Sequence, residues 1–285
     1  MPDVASDLTS PRVTVVMATY NWSSVLPFSI GSVLDQTSTD FELLVIGDGC
    51  TDDSAAVVDE VASVADGRVR FVDLQPGTGH QHGPNNEGLR VGRGQLVAYL
   101  GHDDLWLPHH LEILLAAVDD GHRFVHATTV IVDPHEPPAR HPGDAVSFAP
   151  GQWIAPTSVM HDRRLALEAG GWPAPSAESA PDPEAELWAR LHARSPLHRV
   201  RRLTSIKIVA ARRRDVYRQR PCHEQAYWLD RIRAADDPEG ELAAAVGASY
   251  SLARSTPDGG APGHRPEASA ADRIAERQRF KGVVR

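Results

Sequence analysis

Residues 12–17, RVTVVM, form a short run of mostly β-branched residues that ends at the polar turn ATYN, residues 18–21. Two further apolar runs, FELLVI at 41–46 and QLVAYL at 95–100, also end at glycine-containing or polar turns. Apolar runs of about four to eight residues bounded by turn residues are typical of strands buried on both faces. The three runs therefore predict the central strands of a buried sheet.

Helical segments separate these strands. The sequence predicts helices over residues 23–35, 51–64 and 87–92, a short strand at 69–72, and a helix from Pro108 to about residue 118. Strands and helices that alternate with short connections predict an α/β fold with a parallel sheet. Since ligands bind beyond the carboxyl ends of such strands, we expect residues 19–21, Asp48 and residues 102–104 to meet in one crevice.

The second half of the chain is less regular. It predicts strands at 122–132, 155–160 and 200–210, and helices at 162–169, 184–193, 223–235 and 239–254. Residues 173–183 are rich in proline and are expected to form a mobile loop. We divide the chain into a tail (1–10), a first half (11–120), a second half (121–235) and a C-terminal helical extension with a flexible linker (236–285).

Composition excludes several classes of protein. The chain has 285 residues, a net charge of −9, 41% hydrophobic and 24% charged residues, which is typical of a globular protein. No apolar run approaches the length of a membrane span, and residues 1–12 lack the features of a secretory signal. Cys50 and Cys222 are the only cysteines, which excludes a disulfide framework or a cysteine zinc site. The acidity argues against nucleic-acid binding, and we expect a cytoplasmic enzyme.

The charge is unevenly distributed. Residues 190–233 contain 13 basic and three acidic residues. Such a segment either faces an anion, such as a phosphate or the acidic surface of a membrane, or forms a solvated surface with ion pairs. Its arginine-rich stretch at 212–220 is a candidate contact for a diphosphate, a phosphorylated lipid or peripheral membrane binding, and both interpretations remain open.

Acidic side chains follow two of the predicted strands. Asp103 and Asp104 are adjacent carboxylates, which suit a divalent cation bound together with substrate phosphates, although a helix-capping pair is the alternative. Asp48 can accept hydrogen bonds from a base or a ribose, or act as a turn residue. The phosphate-binding pattern GxxxxGK[ST] is absent, and the dinucleotide pattern GxGxxG does not follow the first strand.

Three segments at these spacings resemble the nucleotide-sugar-binding half of a family-two glycosyltransferase. They are VTVVMATYN (13–21), DFELLVIGDGCTDDS (40–54) and GQLVAYLGHDDLWLP (94–108). A fourth, GGWPAPSAESAPDPEAELWARL (170–191), is similar to the acceptor-side segment of that family, in which an acidic residue precedes Leu-Trp. The resemblance implies a GT-A-type, Rossmann-like fold with a mostly parallel sheet, an inverting mechanism, a nucleoside-diphosphate-sugar donor (a UDP-sugar by default) and Mn²⁺ or Mg²⁺.

The resemblance also implies residue roles. Asp104 would be the direct metal ligand, with Asp103 touching the ribose or the metal. Glu184 matches the general base best by its distance from Trp188, and Asp182 is second. Contacts to the nucleotide sugar would come from Ala18, Thr19, Tyr20, Asp48, Asn85 and Asp103, with Tyr20 stacking on the base.

This chain departs from the family pattern at three places. Relatives often have an acidic residue where Gly47 stands, an aspartate where Gly101 stands and an arginine where Asn85 stands. Because Asp48, Asp103 and Asp104 are retained, we do not expect these changes to inactivate the protein. A cation for the diphosphate must come from elsewhere, and the basic segment is one source.

The acceptor is less well defined by the sequence. We expect a hydroxyl group on a glycan, a lipid-linked glycan or a small metabolite, with Trp172 and His161 as candidate contacts. A non-catalytic nucleotide-sugar-binding protein is the main alternative. A sugar nucleotidyltransferase is less favoured, because residues 18–21 lack the basic, glycine-rich loop that such an enzyme needs after its first strand.

Overall fold

The computed structural model describes residues 10–133, 139–140, 153–174, 183–210 and 215–255. Within them nine strands form one sheet in the order β3-β2-β1-β4-β8-β6-β9-β5, with β7 paired to β6. The strands are β1 (Val13–Thr19), β2 (Phe41–Gly47), β3 (Val69–Asp73), β4 (Leu96–Tyr99), β5 (Leu105–Trp106), β6 (Phe124–Val132), β7 (Ala139–Arg140), β8 (Val159–Asp162) and β9 (His198–Ile208).

Helices cover both faces of this sheet. They are α1 (Leu26–Leu34), α2 (Ser54–Ala62), α3 (His82–Val91), α4 (His110–Asp119), α5 (Arg163–Glu168), α6 (Pro183–His192), α7 (Val216–Gln219), α8 (His223–Ala234) and α9 (Pro238–Ser255). Apolar residues of α1, α2 and α4 share one core cluster with alternate residues of β1 and β2. Residues of α3, α5 and α6 share another with the opposite faces of the same strands. Alternation along buried strands therefore builds two cores on one sheet.

The sheet is mostly parallel. Strands β3, β2, β1 and β4 run parallel, and β8 is antiparallel to both β4 and β6. Strand β9 is parallel to β6 and antiparallel to β5. The α/β prediction is therefore confirmed. The same sheet continues through residue 120, where we placed a boundary between two halves, and that division stays a prediction.

Several element bounds differ from the sequence-based expectation. Helix α3 begins at His82 instead of 87, and the segment expected as a strand at 155–160 is a 3₁₀ turn, Pro156–Ser158, followed by β8. The two-residue strand β5 follows Asp104 directly and was not expected. Most of the expected mobile loop at 173–183 lies outside the described residues. Among the described residues, no helix is both long and apolar enough to cross a bilayer.

Gly88 sets how closely α3 approaches the sheet. A Cβ atom at this position would lie 2.5 and 2.6 Å from the two Cγ atoms of Val16 on β1. Since the core cannot yield that space without displacing backbone, we expect Gly88→Ala to destabilise the fold by about 1–3 kcal/mol. Thermal or urea unfolding checks this value. Gly247→Ala, where a Cβ would meet nothing within 4 Å, is the control, and equal effects of the two changes would contradict this packing argument.

Candidate active site

The loops after β1 and β2 are joined by one asparagine. Asn21 has a left-handed backbone (φ 57°), and its Oδ1 accepts hydrogen bonds from the backbone nitrogens of Thr51 (2.6 Å) and Asp52 (3.2 Å). Its Nδ2 donates to the Thr51 hydroxyl at 3.1 Å. Asn21 thus fixes the end of β1 against the loop that carries Asp48.

Asp48 lies at the carboxyl end of β2 and is 5% exposed. Its Oδ1 accepts hydrogen bonds from the backbone nitrogen (2.6 Å) and the hydroxyl (2.9 Å) of Thr78. Its own backbone nitrogen donates to the carbonyl of Thr19 at 2.9 Å. The Thr19 side chain is buried, and its hydroxyl has no hydrogen-bond partner within the described residues. Asp48 is therefore held in place at the end of β2, next to the buried side chain of Thr19.

Asp103 and Asp104 face different environments. Asp104 is 1% exposed, its Oδ1 accepts from the backbone nitrogen of Ile208 (3.0 Å), and its Oδ2 lies 3.3 Å from Lys207 Nζ. Asp103 is half-exposed and uses its backbone carbonyl to accept from Gln225. The expected role of Asp104 as the direct metal ligand stays a prediction, and in this structure its two oxygens contact Ile208 and Lys207. Asp103 is the carboxylate of the pair that remains accessible.

Asp104 is buried, and the side chain of its partner Lys207 is 23% exposed. Burial raises the pKa of Asp104, and attraction to the Lys207 ammonium opposes that rise. Burial alone would lower the pKa of Lys207, but the negative charges of Asp104 and Asp103 raise it overall. Glu184 contributes to the same rise, which places Glu184 within electrostatic reach of this ammonium group. Lys207 therefore stays protonated at neutral pH, paired with Asp104 and attracted by Asp103 and Glu184.

Glu184 lies in the first turn of α6 and is 8% exposed. Its Oε1 accepts from Trp153 Nε1 at 2.7 Å, and its Oε2 accepts from Gln81 Nε2 at 2.9 Å. Neutral donors thus fix the carboxylate, and among the described residues no cation lies at hydrogen-bond distance from it. Asp182, the other candidate base, lies outside the described residues.

The segment from Thr78 to Gln81 connects the two ends of the crevice. Thr78 binds Asp48, and three residues later Gln81 binds Glu184. Glu184 also contributes to the electrostatic field at Lys207, which pairs with Asp104. The segment thus links Asp48 to Glu184, and the joint role of Asp48, Asp103, Asp104 and Glu184 in one site stays a prediction.

Trp172 and His161 do not face this crevice. Trp172 is 2% exposed and packs edge-on against Tyr99 (5.1 Å) and Trp188 (5.6 Å). His161 is fully buried, its Nε2 lies 3.1 Å from the Tyr99 hydroxyl, and burial lowers its pKa to about 4. Their expected role as acceptor contacts is thus corrected: both belong to the aromatic core, where their apolar surface is buried.

The other expected donor contacts lie near the strand ends. Ala18 and Tyr20 are half-buried at the end of β1, and Asn85 is buried in the first turns of α3. His102 is also half-buried, with its Nδ1 2.9 Å from the Ala18 carbonyl and its ring 4.8 Å from that of Trp22. The rings of Trp22 and His102 thus fill part of the space beside the end of β1.

Four arginines of the basic segment are paired with other parts of the chain. Arg202 contacts Glu239 (2.6 Å), Arg233 contacts Asp35 (2.7 Å), and Arg231 contacts Glu241. Arg190 donates to the carbonyls of residues 169 and 171. For Arg202, Arg231 and Arg233 the ion-pair interpretation is confirmed, while residues 211–214 lie outside the described part of the chain.

The donor set near Asp103 fits a divalent cation only if phosphate completes the coordination. Within the described ranges no group of three His, Cys, Asp or Glu side chains is arranged to hold a metal. The accessible carboxylate of Asp103 is a hard oxygen ligand of the kind that Mg²⁺ and Mn²⁺ prefer, and such cations often keep substrate phosphates as further ligands. The residues therefore fit a cation shared with a diphosphate.

Four side chains at this site escaped the sequence analysis: Asp73, Thr78, Gln81 and Lys207. Lys207 carried a usable signal, since it is a single charge inside an otherwise apolar strand segment, SIKIV, residues 205–209. A charged residue in a buried strand is expected to have a partner. The other three contact residues at least 23 positions away at this site, and no local pattern marks such contacts.

Comparison with known proteins places this geometry in context. Residues 14–169, more than half of the chain, match the model of glycosyl transferase family 2. The poly(ribitol-phosphate) β-N-acetylglucosaminyltransferase TarP of Staphylococcus aureus is 37% identical over 105 residues, which are 36% of this chain and 32% of that protein. The chain spans about a third of the length of such curated relatives.

Solved structures share the fold. TarS of S. aureus, residues 1–349 with UDP-GlcNAc, superposes with a TM-score of 0.55 at 16% identity, covering 84% of this chain and 71% of that one. The mannosyltransferase PcManGT of Pyrobaculum calidifontis, with GDP-Man and Mn²⁺, gives a TM-score of 0.58 at 16% identity, covering 94% and 80%. These likenesses establish the GT-A-type fold, and with the match over residues 14–169 they show that the chain belongs to glycosyl transferase family 2.

Proposed function

We propose that this protein transfers a sugar from a nucleoside diphosphate to an acceptor hydroxyl, with inversion at the anomeric carbon. The observation that carries the proposal is the position of Glu184. Its carboxylate lies at the same crevice as Asp48 and Asp103, within electrostatic reach of Lys207, and neutral donors fix both of its oxygens. A protein that only bound the nucleotide sugar would need no carboxylate at this position.

The chemistry is a single displacement. Glu184 accepts the proton of the acceptor hydroxyl as the acceptor oxygen forms a bond to the anomeric carbon. The bond between that carbon and the diphosphate oxygen breaks on the opposite side, and the nucleoside diphosphate leaves with the electron pair. One such displacement inverts the anomeric centre.

Donor binding uses the ends of β1, β2 and β4. Asp48 accepts hydrogen bonds from the base or ribose, Thr19 and Ala18 line the base, Tyr20 stacks on it, and Asn85 lies beside the phosphates. Lys207 offsets the negative charge of the departing diphosphate. A divalent cation held by an oxygen of Asp103 would supply further charge neutralisation.

Donor and acceptor classes follow from relatives rather than from this chain's geometry. TarS has been solved with UDP-GlcNAc and PcManGT with GDP-Man and Mn²⁺, and TarP is named for a poly(ribitol-phosphate). A UDP-sugar and a glycan acceptor, polymeric or lipid-linked, are therefore the first candidates, with GDP- and dTDP-sugars to be compared.

Calorimetric titration tests donor binding. UDP, GDP and dTDP are titrated with Mn²⁺ or with EDTA into the wild type and Asp103→Asn. We expect one nucleotide to bind more tightly with Mn²⁺, and Asp103→Asn to remove most of this gain, because the neutral amide is a weaker ligand. Asp104→Asn is unsuitable as the primary variant, since it also disturbs Lys207.

Asp59→Asn is the matched control, because Asp59 is an exposed carboxylate on α2. It should bind all three nucleotides as the wild type does. If no nucleotide binds to the wild type with or without Mn²⁺, the proposed function is wrong. If binding is identical with Mn²⁺ and EDTA, the cation is not part of donor binding.

A further inference from the structure

The Asp73 side chain fills the space that a side chain at position 47 would need. Gly47 and Asp73 are direct partners in the parallel register of β2 and β3. A Cβ atom on Gly47 would lie 2.2 Å from Asp73 Oδ1 and 2.9 Å from the ring edge of Phe71. The Gly47 backbone is not left-handed, so its conformation does not require glycine. The space at position 47 is filled by the carboxylate of the neighbouring strand.

The Asp73 carboxylate binds the loop after β2. Its Oδ1 accepts hydrogen bonds from the backbone nitrogens of Gly49 (3.1 Å) and Cys50 (3.0 Å). Its Oδ2 accepts from Gln75 Nε2 at 2.6 Å. Hydrogen bonds from backbone amides to a carboxylate are stronger than those between neutral groups. Asp73 therefore fixes the two residues that follow Asp48.

The end of β1 and the backbone after Asp73 contact Asp48 and its neighbour Gly47. The nitrogen of Asp48 donates to Thr19, and the nitrogen of Leu74 donates to the carbonyl of Gly47 at 2.9 Å. Gly77 packs so closely that a Cβ there would lie 2.1 Å from the carbonyl oxygen of Asp48. The orientation of Asp48 therefore depends on how the loop after β2 packs against the end of β3.

We propose that Asp73 is a positioning residue for the nucleotide. Its carboxylate, at the end of β3, orients the loop that carries Asp48 and takes the role that a side chain at position 47 would otherwise have. The inference rests on the proposed function, since it assigns Asp48 to the nucleoside. It predicts that the carboxylate is exchangeable between positions 47 and 73, because both positions direct it into the same volume.

The test is the affinity for UDP, measured by calorimetry with Mn²⁺, or for GDP or dTDP if the wild type prefers it. Asp73→Gly should raise the Kd at least about ten-fold, because the amides of residues 49 and 50 lose a charged acceptor. Gly47→Asp alone should do the same, since two carboxylates cannot share the space. The double variant Gly47→Asp/Asp73→Gly should return the Kd to within about three-fold of the wild type.

A second double variant separates the carboxylate from simple space filling. Gly47→Ala/Asp73→Gly removes the clash with the Asp73 carboxylate and leaves only the Phe71 ring edge to shift, but it carries no carboxylate, so its Kd should stay high. Thermal unfolding of each variant reports whether the chain folds. If the double variants do not fold, Asp73→Asn is measured instead. It keeps one acceptor oxygen, so its Kd should lie between those of the wild type and Asp73→Gly.

The outcomes distinguish this inference from the proposed function. If the wild type binds no nucleoside diphosphate, the proposed function fails. If it binds and Asp73→Gly has the same Kd, or if the alanine double variant recovers as fully as the aspartate one, the role of Asp73 is overturned. If Asp73→Asn folds and has the wild-type Kd, the negative charge of Asp73 is not needed, and the inference is likewise overturned.

Discussion

Glu184→Gln is expected to lower kcat by about 10²–10⁴-fold, the usual contribution of a general base. The amide keeps the size of the side chain and one acceptor oxygen, but it cannot take the proton of an acceptor hydroxyl. The Kd for the donor nucleotide should change little, because the nucleotide contacts lie on the ends of β1 and β2. Steady-state transfer rates and calorimetry, measured on the same preparations, check both expectations.

Glu186→Gln is the matched control for this prediction. It is the same substitution one half-turn away on α6, at a half-exposed side chain whose nearest ion pair is with Arg190 at 3.8 Å. We expect near wild-type transfer. A wild-type kcat in Glu184→Gln, together with a large loss in Asp182→Asn, would assign the base to Asp182 and contradict the role given to Glu184.

The central strands were predictable because complete burial of a strand is visible in its own residues. Strands β1, β2 and β4 are buried on both faces, so each appears in the sequence as a continuous apolar run that stops where the chain leaves the sheet. Helix α3 begins at His82, five residues before the predicted start. The sequence does not indicate this start, because His82, Gly83 and Pro84 show no apolar periodicity. Proline suits a first helical turn, but the surrounding composition is typical of a loop.

The site was predictable as a location and not as a set of roles. Strand ends predict that Asp48 and Asp103 lie at one edge of the sheet, but two adjacent aspartates have no sequence signal that says which one is buried. That choice depends on Lys207, which lies 103 residues from Asp104 and reaches it only through the pairing of β5 with β9. Trp172 and His161 were placed at the site by their position in the sequence, whereas the size of their rings favours the core.

Lys207→Met is expected to lower the free energy of unfolding by about 3–5 kcal/mol at neutral pH. The substitution leaves the carboxylate of Asp104 almost completely buried without its ammonium partner, and breaking one side of a buried ion pair costs about that much. Urea unfolding followed by tryptophan fluorescence measures the change. Arg90→Met, which removes an exposed ion pair with Glu87 on α3, is the control and should show no measurable change.

The double variant Asp104→Asn/Lys207→Met should recover most of this loss, because no isolated charge remains buried. The deficit of Lys207→Met should also depend on pH. Without the ammonium group, burial keeps the folded-state pKa of Asp104 above its unfolded value of about 3.9, so the folded state holds its proton more tightly and stability falls as pH rises. In the wild type burial already raises the pKa of Asp104 to about 7, so both proteins lose stability alike between about pH 4 and 6. The deficit should therefore grow as the pH rises above about 7. A deficit that did not vary with pH, or that persisted unchanged in the double variant, would mean that the packing of the lysine stem, and not its charge, holds β9 against Asp104.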